Sequence, residues 1–162
     1  MRAVCPSTTR PPAVAAALAF AACALTSCAL TSSTGARRPP DVASPPALVV
    51  GTFEDDYGHR FTVTEGAWRQ HPSPALRIAA WHAGERWLVA ENPAGGPDAG
   101  RWTRIDWVAL DPSMAPYAWA FCLSAYDAPT RAAAESTRVA RPETPRTGCN
   151  GYPFSRMKRV AP

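Results

Sequence analysis

The chain has 162 residues, of which 46% are hydrophobic, 9% aromatic and 19% charged, with a formal net charge of +4. This composition excludes a wholly disordered or collagen-like chain, and five cysteines are too few for a small protein built on disulfides. Seven of the 18 prolines precede residue 47, whereas all six tryptophans lie between Trp68 and Trp119. The chain therefore divides into a proline-rich head and a tryptophan-rich body.

The first 27 residues have the layout of an export signal. Residues 1–12 contain two arginines and no acid, and residues 13–25 form an apolar run of 13 residues. A membrane-spanning helix needs about 20 apolar residues, so this run is typical of the hydrophobic part of a secretory signal. We predict a lipoprotein signal peptide over residues 1–27.

The sequence Leu25-Thr26-Ser27-Cys28 at the end of the apolar run resembles the lipobox of bacterial lipoproteins. The resemblance implies cleavage before Cys28, lipidation of its sulfur and membrane attachment through the lipid. In lipoproteins of two-membrane bacteria, an aspartate after the lipidated cysteine usually retains the protein at the inner membrane. Ala29 occupies that position here, which favours the outer membrane, facing the periplasm or the cell surface. The alternative is an ordinary secretory cleavage that leaves a free thiol.

A tether and one domain follow the signal. Residues 29–46 are mostly Ser, Thr, Ala, Arg and Pro, so residues 28–46 are predicted to be a lipidated cysteine and a flexible tether. The body, residues 47–162, is long enough for one hydrophobic core but not for two. We therefore predict a single β-rich domain over residues 47–162.

The body alternates apolar and polar residues over short runs that are separated by turn-forming residues, which predicts antiparallel strands. The predicted strands cover residues 48–53, 60–64, 76–81, 87–90, 101–110 and 117–126. A helix is predicted from about Pro129 to Arg138, because proline suits the first helical turn and an alanine-rich segment follows. The residues after Pro142 have no clear period. The predicted fold is mainly β, a small antiparallel barrel or strongly curved sheet with one short helix near the C-terminus.

The body also resembles small uncharacterised bacterial lipoproteins. The resemblance is carried by Gly51-Thr52-Phe53, Asp56-Tyr57-Gly58, Arg104-Ile105-Asp106-Trp107, Phe121-Cys122 and Gly148-Cys149-Asn150-Gly151. It implies a lipocalin-like barrel and supplies no activity. Gly51-Thr52-Phe53 has phenylalanine where true lipocalins have tryptophan, so ligand transport does not follow from the resemblance.

Two cysteines remain in the body when Cys5 and Cys23 leave with the signal and Cys28 is lipidated. An even pair in an oxidising compartment predicts a disulfide between Cys122 and Cys149. This bond would fix the aperiodic tail to the last predicted strand. The alternative is two buried thiols, and a metal pair is less favoured because no Cys-x-x-Cys or nearby paired histidines accompany them.

Searches for catalytic, phosphate-binding and metal-binding motifs find none, so we name no catalytic residue, metal or cofactor. Arg104 and Asp106 are the candidate ligand or structural polar residues. If Ile105 and Trp107 face the core, the two charged residues share the outer face of a barrel. We interpret them as a structural contact, with a catalytic carboxylate as the alternative.

The acidic turn is a second group of candidate polar residues. Its carboxylates and imidazole have the chemistry of a cation site or an acid/base set, although such a cluster is more often a solvated turn. The residues concerned are Glu54, Asp55, Asp56 and His59. Residues 146–162 carry four basic residues and no acid, and we predict that this tail pairs with the acidic turn. The alternative is a contact with an acidic polymer or lipid surface.

The tryptophans have two interpretations. Packing in the core is favoured, above all for Trp107 and Trp119. The alternative is an exposed stacking surface for envelope sugars, built from Trp68, Trp81, Trp102 and Tyr57.

Together these features favour a lipid-anchored protein of the cell envelope that acts as a binding or structural module. The expected partners are the membrane and an envelope protein, glycan or lipid, whereas nucleic acid is a poor partner for an exported protein. The alternative is a small periplasmic enzyme or a carrier of lipid or glycan ligands. Convergent polar groups in the barrel interior, such as Asp106, His59 or Tyr126, would favour this alternative, and a filled core would favour surface interaction.

Overall fold

The structure is a computed structural model that describes residues 44–161. Its strands are β1 (Gly51–Asp55), β2 (Arg60–Val63), β3 (Ala67–Gln70), β4 (Leu76–His82), β5 (Trp87–Glu91), β6 (Trp102–Ala109), β7 (Tyr117–Ala128) and β8 (Ser155–Arg159). A 3₁₀ turn (Pro112–Met114) precedes β7, and helix α1 (Arg131–Ser136) follows it. The predicted signal peptide, Cys28 and residues 29–43 of the predicted tether lie outside the described residues.

The strands form a closed antiparallel barrel. Each strand pairs with the next along the chain, and β8 pairs with β1. This confirms the prediction of a mainly β fold with one short helix near the C-terminus, and the closure selects a barrel over an open sheet. Between residues 44 and 161, neither helical segment has the length and apolarity needed to cross a bilayer.

The barrel has two different ends, which we call the base and the mouth. The base is the end where β1 begins, and the mouth is the end where β1 finishes. At the base, Val49 is only 1% exposed and packs in the core. The Arg159 guanidinium donates hydrogen bonds to the carbonyl oxygens of Ala47 and Val50. The segment before β1 therefore fills the base.

Aromatic side chains fill the barrel interior. The Phe53 and Trp119 rings meet edge to face with centroids 5.1 Å apart, and Trp68 and Phe121 meet in the same way at 5.1 Å. This edge-to-face arrangement is the one that aromatic pairs favour. Trp107 and Trp119 are buried, as predicted. Within the described residues, the filled interior leaves ligand-sized space at the mouth.

The alternative of a tryptophan stacking surface is wrong for two of its members. Trp68 and Trp81 are both buried in the aromatic core, and Trp102 is half-buried beside α1. Of that set only Tyr57 is exposed.

Helix α1 and the tail form an outer layer on one side of the barrel. The Thr130 hydroxyl caps α1 by accepting a hydrogen bond from the Ala133 N–H at 3.1 Å. Ala134 is fully buried against the outward-facing side chains of Trp87 and Val89. An isolated six-residue helix is unstable in water, so α1 is stabilised by its packing against these barrel side chains.

A bulge in β7 changes which residues face inward. Ile105 pairs with Leu123, whereas Arg104 pairs with Ala125, so the register shifts between them. The extra residue in β7 turns Ala125 to the outside, where it packs beside α1. Strict alternation along this strand predicts Ala125 on the same face as Leu123, and that expectation is wrong for this reason.

The tail is held to the barrel by a disulfide between Cys122 in β7 and Cys149, as the cysteine count predicts. We call residues 140–154 the disulfide loop. Phe154 at its end is buried against Val108 and Ala120 on the outer face of β6 and β7. The aperiodic tail is therefore an ordered second layer over the barrel.

Candidate functional site

Arg104 and Asp106 form a buried ion pair on the outer face of β6. The Arg104 Nε atom lies 2.8 Å from Asp106 Oδ2, and its Nη2 atom lies 2.7 Å from Oδ1. The two residues are 4% and 6% exposed. This is the two-pronged contact that suits a planar guanidinium and a carboxylate.

Neighbouring groups make further hydrogen bonds and an aromatic contact with this ion pair. The Arg104 Nη1 atom donates to the carbonyl oxygen of Glu135 in α1 at 2.7 Å, and the guanidinium lies 4.1 Å from the Trp87 ring centre. The Ser124 hydroxyl donates to Asp106 at 2.5 Å. The pair therefore holds α1 against the barrel wall. Among the described residues, neither Arg104 nor Asp106 lines any of five cavities of about 310–710 Å³.

Asp55 organises the acidic turn from within. Its Oδ1 atom accepts hydrogen bonds from the backbone N–H groups of Tyr57 at 2.9 Å and His59 at 2.8 Å. Its Oδ2 atom lies 3.0 Å from the His59 Nδ1 atom. The carboxylate is thus committed to holding the turn and orienting the imidazole.

The remaining acids of the turn pair with β8, as predicted for the basic tail. Arg156 Nε lies 2.9 Å from Asp56 Oδ2, and Lys158 Nζ lies 2.7 Å from Glu54 Oε1. Hydrogen bonding to Glu54 raises the pKa of Lys158, and hydrogen bonding to Asp56 raises the pKa of Arg156. Within residues 44–161, no group of three or more His, Cys, Asp or Glu is arranged to hold a metal ion.

A cavity of about 360 Å³ opens at the mouth, and we call it the mouth cavity. Its walls are mainly apolar and come from four strands (β3, β4, β6 and β7) and two loops. The apolar lining residues are Trp68, Pro74, Leu76, Pro93, Pro97, Leu123 and Tyr126. The polar lining residues are Gln70, Ser73, Asn92, Asp98 and Thr103. Trp68 also belongs to the aromatic core, so the filled interior forms part of the cavity wall.

A hydrogen-bonded pair of polar residues fixes one wall of the mouth cavity. The Thr103 hydroxyl donates to Asn92 Oδ1 at 2.5 Å, and Asn92 Nδ2 donates to the backbone carbonyl of Tyr126 at 2.6 Å. Both side chains are buried. Tyr126 and Leu123 are by contrast 61% and 44% exposed. The mouth cavity therefore combines a preorganised polar wall with exposed apolar surface.

A second cavity of about 310 Å³ adjoins the first and shares Gln70 and Leu123 with it. It is lined by His59, the disulfide cysteines and Ser155, among others. His59 lies at its edge with about half of its side chain exposed. The two cavities together form a continuous indentation at the mouth.

The sequence identified some of these residues but not their grouping. Tyr126 lines the mouth cavity and His59 the adjoining one, whereas Asp106 lies on the opposite face of the wall. Leu123 and Asn92 carried no sequence signal of a site. The one available cue is that Asn92 begins the proline- and glycine-rich loop of residues 92–100.

No protein-family model, curated protein or solved structure matches the chain.

Proposed function

We propose that this chain is a lipid-anchored protein of the cell envelope whose barrel is a binding module. The mouth cavity is its binding site, and it takes an uncharged, largely apolar ligand, either a free molecule or a group presented by an envelope protein, glycan or lipid. The observation that carries the proposal is an apolar-walled cavity at the mouth of a barrel that is otherwise filled.

The lining of the mouth cavity supports an uncharged ligand. No basic residue among the described residues lines it, and Asp98 is its one acid. An anion would therefore meet a carboxylate without a compensating cation. The volume is within the range of small-molecule sites, which are mostly apolar with a few placed polar groups. Asn92 and Thr103 supply such groups.

The test uses two exposed tyrosines as a matched pair. Tyr126 lines the mouth cavity. Tyr152 is 73% exposed and, among the described residues, lines none of five cavities of about 310–710 Å³. The full chain is titrated with the neutral fluorescent probe N-phenyl-1-naphthylamine. Tyr126→Ser is expected to weaken binding about tenfold through lost apolar contact, and Tyr152→Ser to leave it unchanged. Equal affinities for the wild-type chain and both variants would overturn the proposed site.

The anchor has a separate test, because Cys28 lies outside the described residues. Cys28→Ala is expected to leave an unlipidated, uncleaved precursor, since lipid attachment needs the sulfur. Mass spectrometry of the purified chain measures both changes. Normal cleavage and membrane retention of the variant would contradict lipidation at Cys28.

An enzyme is the alternative function, and the Asp55–His59 pair is the arrangement that favours it. Asp55 orients an imidazole at the edge of the second cavity, as a carboxylate does for a general base. A hydrolytic activity that is lost in His59→Gln, with ligand binding at the mouth cavity retained, would favour the enzyme.

A further inference from the structure

A polar recess of about 480 Å³ lies between the end of α1 and the disulfide loop and shares no lining residue with the mouth cavity. Its lining includes Arg138, Arg141, Thr144 and Thr147, with the turn at Gly148–Gly151 completing the wall. Among the described residues, no acid lines it. We propose that this recess, which we call the basic recess, binds a phosphate-type oxyanion, independently of the function proposed for the mouth.

The basic residues near the recess differ in their charge partners. Arg104 in β6, Arg131 in α1, and Arg156 and Lys158 in β8 each have a carboxylate partner. Arg138 and Arg141 have none in residues 44–161. Glu143 lies on the same loop, but it is exposed and does not line the recess. Two guanidinium groups therefore face one recess without neutralisation.

The recess also offers hydrogen-bond donors that have no other partner or only a weak one. Arg138 uses its Nη1 atom to donate to the carbonyl oxygens of Glu135 and Thr137, which leaves Nε and Nη2 without partners in the described chain. The Thr144 hydroxyl donates only a long hydrogen bond of 3.4 Å to the Arg141 carbonyl oxygen. Guanidinium groups and hydroxyls are the donors that tetrahedral oxyanions accept from most readily.

The disulfide loop that bounds the recess is preorganised. The Arg141 N–H donates to the Gly148 carbonyl oxygen at 2.8 Å, and Cys149 and Tyr152 exchange two backbone hydrogen bonds. The disulfide at Cys149 fixes this turn to β7. A recess held in shape before binding loses less conformational entropy when an anion enters.

The experiment measures phosphate binding by the purified full chain in detergent. Inorganic phosphate is titrated calorimetrically against a chloride buffer of constant ionic strength. Arg138→Ala/Arg141→Ala is expected to weaken binding at least tenfold. The control Arg69→Ala/Arg101→Ala removes the same charge from two exposed arginines elsewhere and is expected to bind as the wild type does.

Two results would overturn the proposal. One is the absence of phosphate binding to the wild-type chain, and the other is equal weakening in the two double variants. Arg138 also contacts the end of α1, so near-ultraviolet circular dichroism checks that its variant is folded. If it is not, Arg141→Ala alone is the test, because no side-chain hydrogen bond of Arg141 is present in the described chain.

A second arm distinguishes the sources of the phosphate group. Vesicles of phosphatidylglycerol and of phosphatidylcholine are mixed with the Cys28→Ala chain and separated by flotation, and retention of the Cys28→Ala/Arg138→Ala/Arg141→Ala chain gives the background from its uncleaved apolar segment. Retention on phosphatidylglycerol that needs both arginines assigns the recess to lipid headgroups. Phosphate binding without such retention assigns it to soluble phosphate compounds.

Discussion

The Arg104–Asp106 pair is buried because α1 lies over it. Removing two charges from water is costly, and the cost is offset here by the two-pronged contact, the Ser124 hydroxyl and the Glu135 carbonyl oxygen. Such a pair adds little stability compared with apolar residues of the same volume. Breaking it, however, leaves a buried charge without a partner.

Asp106→Asn is therefore expected to lower the free energy of unfolding by about 3–5 kcal/mol, because Arg104 keeps its charge in a buried site. Urea denaturation measures the change. The control is Arg77→Ala, which breaks the exposed pair with Glu91 and is expected to cost less than about 1 kcal/mol. Equal effects of the two substitutions would show that α1 does not shield Asp106 from water.

The stability that the Lys158–Glu54 pair contributes depends on pH, and Lys158 is the single lysine of the chain. The hydrogen bond to Glu54 raises its pKa. The contribution of this pair to stability is therefore present below the ordinary lysine pKa and is lost as the pH rises through the raised value. An NMR titration of Lys158 is expected to show a lower midpoint in Glu54→Gln than in the wild type. Glu143→Gln, which removes an exposed charge from the disulfide loop, is expected to leave the midpoint unchanged.

At the scale of elements, the disulfide loop shows how a segment without periodicity becomes ordered. It has no helix or regular strand until β8, yet backbone bridges join Cys149 to Ala140 and to Tyr152. Gly148 is buried at the closest approach of two backbone segments. A Cβ atom there would lie 2.1 Å from the Arg141 carbonyl oxygen and 2.7 Å from that of Thr144. Glycine is required by this packing.

Gly148→Ala is expected to destabilise the chain by about 1–3 kcal/mol, because backbone atoms must move to admit the methyl group. Gly66→Ala is the matched control, since no atom lies within 4 Å of a Cβ atom at that turn. Thermal or urea unfolding compares the two. Similar stabilities for both variants would mean that the loop does not pack as tightly as described.

The strands that were predicted from the sequence share a visible alternation of apolar and polar residues. The two strands that were not predicted, β3 and β8, lack it. β3 has four residues, of which only Trp68 is fully buried, and β8 buries only Met157 between Arg156 and Lys158. Runs this short contain too few alternations to separate a strand from a loop. Their pairing is decided by closure of the barrel, which is a property of distant strands.

At the scale of the whole molecule, the disulfide joins two positions 27 residues apart in sequence. Its loss is expected to lower the free energy of unfolding by about 3 kcal/mol, because the unfolded chain gains the freedom of an open loop. Urea denaturation of Cys122→Ala/Cys149→Ala measures this difference. A loss below about 1 kcal/mol would indicate that the packing of Phe154 and the pairing of β8 hold the tail without the disulfide.

The candidate site is harder to predict than the fold. Arg104 and Asp106 are two residues apart, so alternation along one strand is enough to place them on one face. The mouth cavity instead joins Gln70, Asn92 and Tyr126, which come from distant parts of the chain. Their convergence depends on barrel closure and on the β7 bulge, which no local pattern shows. The sequence therefore predicts the Arg104–Asp106 contact on the outer face of the barrel wall, but it does not predict the mouth cavity.

Closure of the barrel has a consequence for recognition. Each of the eight described strands has a hydrogen-bonded neighbour on both sides, because β8 pairs with β1. A partner strand cannot be added where these pairings run, since both edges of a paired strand are already used there. The pairing with β8 covers β7 only up to Phe121, and the pairing with β3 covers β4 only up to Arg77, so these two strands extend past their neighbours. Over the paired part of the barrel, partners must be selected by side chains and loops, whose substitution changes specificity without changing the fold.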